Sequence, residues 1–452
     1  MMRALRTTRW AAAAALAAVL VGGGQAARSA AQASAQIVMP EELAPLELSE
    51  VTKVVEAGVG QTMALDAESE TVYMAWGRPA PGSEEQAMQV VVAHSTDGGK
   101  TFSEPVVVSA PEHSEMYVST ANPAVVQVGP EGRVYVVYTI AVDNEIKPGD
   151  TYRPQLVVST DGGQTFSDPQ PVVTAATEGI PVNFASFYMN GLLVASDGNL
   201  YYSFLDGRDY LAAIAAGKEA MPQLRVARSG DGGETWAQSA LVGKPTCGCC
   251  STVMTENDDG DLFASTRGYA KLEGSYDAVR DPIASRSTDD GKTWSEPVKI
   301  SDDGFKISGC PDVAPGLASD ADGTLHAAWY TGTSAHPGVY YATSEDGVHW
   351  SKPLTLLRGE WVPYADVRLV IDGQGRPWVA FEDRPGEVDR LQVVRIDPQT
   401  RAVAFSKAIP GHGPALAAGE DWALLSFEPN LTEDDAAGPT ALQSVLVSGA
   451  DT

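Results

Sequence analysis

The chain has 452 residues, 59 acidic against 31 basic side chains, a formal net charge of -28 and four cysteines. A surface this acidic repels phosphate backbones and anionic lipid, which excludes nucleic acid and anionic membranes as expected partners. The length exceeds that of an ordinary domain, so the chain holds either several domains or one repeat fold.

The first segment reads as a leader. "MMRALRTTRW" is basic, "AAAAALAAVLV" is apolar, and "SAAQASAQ" offers small-residue cleavage sites. That is the pattern of a secretory signal peptide over residues 1–33. The apolar run is too short to span a bilayer. No cysteine follows it, so no lipid anchor is expected. Arg6 and Arg9 are not adjacent, which argues against a twin-arginine signal. Taking its four arginines from the 31 basic residues leaves 27 against 59 acidic ones, a net charge of -32. The rest, 34–452, is expected to be one exported domain, periplasmic or extracellular.

"LSEVTKVVEAG", Leu48 to Gly58, reads as a strand, and "AWGRPAPG" with Arg78 follows. Next comes "STDGGKTFSEP" from Ser95, and a near copy, "STDGGQTFSDP", from Ser159. The turn returns as "SGDGGETW" from Ser229, "STDDGKTW" from Ser287 and, shortened, "SEDGVHW" from Ser344. The spacings are 64, 70, 58 and 57 residues, so this is an internal repeat. Each copy reads as a hairpin tip. Asp and Ser can bond the turn's own amides, and Gly supplies positive φ. An apolar, β-branched run precedes each tip ("MQVVVAH", "PQLVVS", "GVYYATS"), and two more short runs around a Gly turn lie upstream ("PAVVQVGPEGRVYVVYTIA", "GLLVASDGNLYYSFLDG"). Units of three or four antiparallel strands arranged radially make a β-propeller. "YADVRLVIDGQGRPWVAFEDR" with "RLQVVRIDPQTRAVAFSKAI" supplies a sixth unit, and "GPALAAGEDWALLSFE" with "ALQSVLVSG" three strands of a seventh. The strand from Leu48 would complete the last unit and close the ring. The expected fold is therefore all-β, a propeller of four-stranded blades, with seven preferred and six the alternative.

The repeated turns are Asp-boxes, and the chain resembles the Asp-box (BNR) propellers of the sialidase superfamily over most of its length. The resemblance implies that the boxes sit on outer hairpins, away from an active site. It also implies a test for sialidase chemistry, which uses three arginines on the substrate carboxylate, a Tyr nucleophile with a Glu partner and an Asp acid/base. The chain lacks the Phe/Tyr-Arg-Ile-Pro motif of the first arginine, and sialidases have six blades. Arg78, Arg267, Arg368 and Arg384 are the candidates for binding a ligand, against salt bridging as their plain alternative. Tyr364, Glu360 and Asp366 in "GEWVPYADVR" are the candidate catalytic set, with Trp361 and Tyr364 as possible stacking rings.

The cysteines stand apart from this pattern. Cys247, Cys249 and Cys250 in "KPTCGCCSTVM" lead into an inner strand, and Cys310 in "ISGCPDVAPG" leads into the next one. Aligning the turns at Gly260 and Gly323 maps Cys247 onto Cys310, so all four should gather at one mouth of the channel. Disulfides suit an exported protein, with three possible pairings. A thiolate site for copper or zinc is the other reading, with Met254, His326 and His336 as further candidate ligands. Three functions follow: a binding propeller for a small-molecule, glycan or protein ligand with a metal or thiol site at its mouth; a sialidase-type exo-glycoside hydrolase; and an interaction propeller stapled by disulfides. A monomer is expected.

Overall fold

The computed structural model describes residues 38–81, 87–111, 116–119, 121–143, 145–146, 151–273, 277–359, 366–384, 388–430 and 440–449. The leader assigned to residues 1–33 lies outside them. The fold is all-β, a β-propeller of antiparallel sheets. Four sheets have four strands each. They run Val125–Val128, Val134–Ala141, Tyr152–Ser159 and Gln170–Pro171; Phe187–Val194, Leu200–Asp206, Gln223–Ser229 and Ala240–Leu241; Val253–Glu256, Leu262–Arg267, Pro282–Ser287 and Val298–Lys299; and Gly316–Ser319, Leu325–Thr331, Gly338–Ser344 and Leu354–Arg358. A fifth sheet begins at Val367–Ile371, continues through Pro377–Asp383 and Arg390–Ile396 to Val403–Phe405, and adds Ile409–Pro410.

An eight-stranded sheet joins the chain ends. His412–Ala418, Trp422–Glu428 and Thr440–Ser448 lead into the long strand Thr52–Asp66, which passes on to Thr71–Pro79, Met88–Ser95 and Val106–Val107, while the short strand Glu47–Leu48 also pairs with Thr440–Ser448. The long strand works in two halves. Thr52 to Gly58 pairs with Ser444 to Thr440, and Val59 to Asp66 pairs with Gly77 to Thr71.

The core is a set of slabs between successive sheets. Each sheet is covered on both faces, so its second strand is buried end to end rather than alternately. Leu200–Asp206 and Leu325–Thr331 are buried at every residue. One slab packs Tyr330, Tyr341 and Leu356 against Leu369, Phe381 and Val394; another packs Met63, Met74 and Trp76 against Ala415, Leu424 and Leu442.

The boxes clasp the slabs. Asp97 Oδ1 accepts from Thr101 N at 3.0 Å and from Ser95 Oγ at 2.8 Å, while Ser95 Oγ accepts from Gly99 N at 2.9 Å. The same bonds recur around Asp161, Asp231 and Asp289, and in shortened form around Asp346. Each box aromatic then packs on the slab that its sheet shares with the preceding one. Phe102, Phe166, Trp236, Trp294 and Trp350 all do this. Gly233 shows why the turn needs glycine: its φ is +96°, and a Cβ there would meet Leu156 of the preceding sheet at 2.2 Å.

Candidate functional site

The first strands of successive sheets lie side by side around a central channel. Antiparallel order puts the five box hairpins at the same end of the sheets that carry them. The loops entering the first strands, and those joining second to third strands, lie at the other. That second end is where the unrepeated polar residues collect.

The cysteine loops are stitched together there. Ser251 N donates to Asp312 O at 3.1 Å, and Ala314 N donates to Ser251 Oγ at 3.1 Å. Cys247 N donates to Arg267 O at 2.7 Å. The four Sγ atoms lie within 4.8 Å of one another. They are paired as two disulfides, Cys247 with Cys250 and Cys249 with Cys310. The alignment of Cys247 with Cys310 placed the two loops together and left three pairings open; the structure pairs Cys310 with Cys249. Cys247 Sγ stands 3.4 Å from Cys249 Sγ, so the pairs touch.

Arg280 flanks this loop. It is 5 % exposed, its Nη2 donates to Gly309 O at 3.3 Å, and its guanidinium lies 4.4 Å from the Tyr269 ring centre. Its Nε and Nη1 have no hydrogen-bond partner among the described residues. Asp312, two residues after Cys310, is held at φ +57°. Burial pushes its carboxyl up to about 6, against the pull of Arg280.

A carboxylate cluster continues round the mouth. Glu382 is 1 % exposed. Its Oε2 accepts from Arg384 Nη2 at 2.8 Å and from Asp366 N at 3.2 Å, and its Oε1 from Gly413 N at 2.8 Å. Arg368 Nη2 reaches Asp366 Oδ1 at 3.3 Å, and Arg368 Nε donates to Pro414 O at 3.1 Å. Burial pushes the Asp366 carboxyl up; Arg368 opposes this and the Glu382 charge adds to it. Glu428 is pushed up to about 7, mainly by burial. His412 is pushed down by burial. A cavity of about 200 Å³ reaches from Ser251 and Met254 to Gln61, Asn190 and Arg368. On another side of the same end, Tyr117 stacks on Tyr152 at 4.5 Å and Tyr152 meets Tyr188 at 5.5 Å.

The candidates fare differently. Asp366, Arg368 and Arg384 come together, and the four cysteines do too. Arg267 is fully buried. Its Nε, Nη1 and Nη2 donate to the carbonyls of Val313, Arg280 and Tyr330, so it braces two loops instead of facing a ligand. Arg78 is held by Gln89 Oε1 across its hairpin, at 3.1 and 3.2 Å. His326 is 1 % exposed and bonded to Asp320 and Tyr341. His336 packs edge-on against Tyr340. Glu360, Trp361 and Tyr364 lie outside the described residues. Asp312, Glu382, Glu428 and the tyrosine stack were missed: they come from different sheets and share no spacing.

Comparison with known proteins agrees with this architecture. No curated protein matches the chain. Among solved structures, a polysaccharide lyase of family PL25, an ulvan lyase bound to -[GlcA(1-4)Rha3S]-, superposes with a TM-score of 0.55 at 11% identity over 89% of this chain and 96% of its own. A protein of unknown function from Dyadobacter fermentans gives 0.51 at 13% identity over 90% and 100%. An α-L-arabinofuranosidase from Fusarium graminearum gives 0.50 at 14% identity over 89% and 98%. Identities this low speak for the fold alone. The BNR repeat-like domain matches residues 70–305, more than half of the chain and four of its five boxes, and the chain belongs to that family.

Proposed function

We propose that this chain is an exported binding propeller whose working face is the cysteine-bearing mouth. When reduced, its four cysteines hold one soft metal ion, Cu(I) or Zn²⁺. One observation carries the reading: all four Sγ lie within 4.8 Å of one another. A tetrahedral thiolate site with bonds of about 2.3 Å places its sulfurs about 3.8 Å apart, so small side-chain movements would close the set on an ion. Thiolates are the ligands that Cu(I) and zinc prefer. The disulfide and metal readings are then two redox states of one site. The ligand itself, a small molecule, a glycan or a protein surface, would enter the adjoining cavity.

Supporting details concern the frame. The pairing of Thr52 to Gly58 with Thr440 to Ser444, and the slab that joins Met63 to Leu442, favour seven blades in a single domain, 34–452, closed by the N-terminal strand. Two disulfides favour an oxidising compartment, in keeping with a leader at residues 1–33. No helix among the described residues is long and apolar enough to cross a membrane.

The test is metal uptake by fully reduced protein under anaerobic conditions. The expected result is one ion per chain, lost in the Cys249→Ser/Cys310→Ser variant while the far-ultraviolet spectrum stays unchanged. Reduced wild-type protein that takes up neither ion ends this reading.

A second reading is favoured by a separate observation. Asp366, Glu382 and Glu428 share the mouth with Arg368 and Arg384, and Glu428 is pushed up to about 7. A carboxyl kept protonated near neutrality is what a glycosidase acid needs. Hydrolysis of aryl glycosides that disappears in both Asp366→Asn and Glu428→Gln would favour this reading.

A further inference from the structure

The four cysteines are not equivalent. Cys247 and Cys250 are fully buried and bonded to each other. Cys249 and Cys310 are partly exposed and bonded to each other. A reductant in water therefore reaches the outer pair and not the inner one. Yet Cys247 Sγ stands 3.4 Å from Cys249 Sγ, which is van der Waals contact between sulfurs and the starting distance for exchange. Exchange requires a thiolate in contact with a disulfide sulfur, and opening the outer pair would produce one at that place.

We propose that the cluster is a thiol–disulfide relay: an external dithiol reduces the exposed Cys249–Cys310 bond, and the outer cysteines pass the electrons to the buried Cys247–Cys250 bond. The proposal rests on reading the mouth as a thiol site, and it adds the substrate class and the order of events.

The steps balance. A thiolate of the dithiol attacks Cys310 Sγ; the Cys249–Cys310 bond breaks and Cys249 leaves as a thiolate. The second thiol of the reagent displaces Cys310, and the reagent departs as a disulfide, two electrons poorer. Cys249 then attacks Cys247. The Cys247–Cys249 bond forms, the Cys247–Cys250 bond breaks, and Cys250 takes a proton. Cys310 attacks Cys249, which restores the outer bond and frees Cys247 as a thiol. One dithiol has been oxidised, the buried pair holds its two electrons and two protons, and the outer pair is ready again. A second dithiol reduces the outer pair and leaves four thiols around one point.

The experiment uses the full chain, native, in chelator and free of metal. Dithiothreitol is added in limiting amounts, the mixture is acid-quenched and alkylated, and the disulfides are mapped by mass spectrometry. The wild type should pass through a Cys247–Cys249 species on the way to reduced Cys247 and Cys250. In the Cys249→Ser/Cys310→Ser variant the buried pair should be reduced at least about tenfold more slowly, while urea-unfolded variant is reduced promptly. Equal rates in folded wild type and folded variant overturn the relay. So does wild-type protein that opens only its outer pair. If the variant does not fold, the wild-type map decides alone: the mixed species supports the relay and its absence ends it. Metal uptake is scored separately. A relay without uptake removes only the metal reading, and uptake without the mixed species removes only the relay.

Discussion

The two ends of the propeller treat their carboxylates in opposite ways. At the box end, Asp97, Asp161 and Asp231 are held down to about 2, chiefly by bonds from Thr101, Thr165 and Thr235. At the mouth, Asp312 is pushed up to about 6 and Glu428 to about 7, chiefly by burial. Hydrogen bonds to the charged form stabilise it, and desolvation penalises it. The box end repeats one turn whose acids are all satisfied. The mouth repeats nothing, and its acids are crowded and buried. The repeated chemistry holds the sheets together, and the singular chemistry is where a ligand would be met.

The largest test of this division attacks what both ends share. Deleting residues 34–57 removes the strand half that pairs with Thr440 to Ser444 and, under the proposed closure, would open the ring at a sheet edge. The expected outcome is loss of cooperative melting for the whole protein, followed by circular dichroism. An unchanged melting temperature would mean that the two chain ends do not carry the closure.

Next in size is Glu382→Ala at the mouth. The substitution removes the carboxylate that accepts from the buried amides of Asp366 and Gly413 and from Arg384, which keeps Asp389 at 3.6 Å. Two buried amides that lose their acceptor cost about 1–3 kcal/mol each, measured by urea unfolding. A loss no greater than that of an exposed box aspartate would erase the contrast between the ends.

The pH profile sharpens the same contrast. The box aspartates titrate lower in the fold than the ordinary value of about 3.9. Their stabilisation is full above that value and is lost as pH falls toward about 2. Asp312 and Glu428 titrate higher in the fold. Their contribution is full below the unfolded value and is lost as pH rises through about 6 and about 7. Melting temperature should therefore peak in mildly acidic buffer and decline toward neutrality, and the decline should shrink in Glu428→Gln. A melting temperature that climbs steadily from pH 5 to 8 contradicts the assignment.

How far these ends could be read from the chain follows from locality. A box is eight residues bonded to themselves, so Ser95, Asp97, Gly99 and Thr101 announce the turn without any knowledge of the fold. What they could not announce is that Gly99 and Phe102 press on the neighbouring sheet. The cysteine neighbourhood was reachable because equivalent loops precede equivalent strands. The pairing was not, because side-chain direction within the "CGCC" loop is set by contacts to Arg267 and Asp312. Glu428 ends "WALLSFE" as an ordinary polar residue, and its neighbours Thr440, Asp366 and Glu382 are brought to it only by the fold.

The smallest expected effect is also the one that bears most directly on the box end. Asp161→Ala removes the acceptor for Thr165 N at 2.9 Å and Gln164 N at 3.0 Å, together with the bond from Ser159 Oγ. These amides sit on an exposed turn, so water can replace the carboxylate at modest cost. The Ser159 Oγ bond to Gly163 N at 2.9 Å remains, and so does the packing of Phe166 against the preceding slab. The melting temperature should drop by less than in Glu382→Ala. The acid limb of the pH profile should weaken, because one stabilised carboxylate is gone. Thiol counts, metal uptake and disulfide exchange at the far end should match wild type. An Asp161→Ala protein that folds normally yet loses any of those three activities would show that the boxes reach the mouth, and the separation of holding from binding would have to be abandoned.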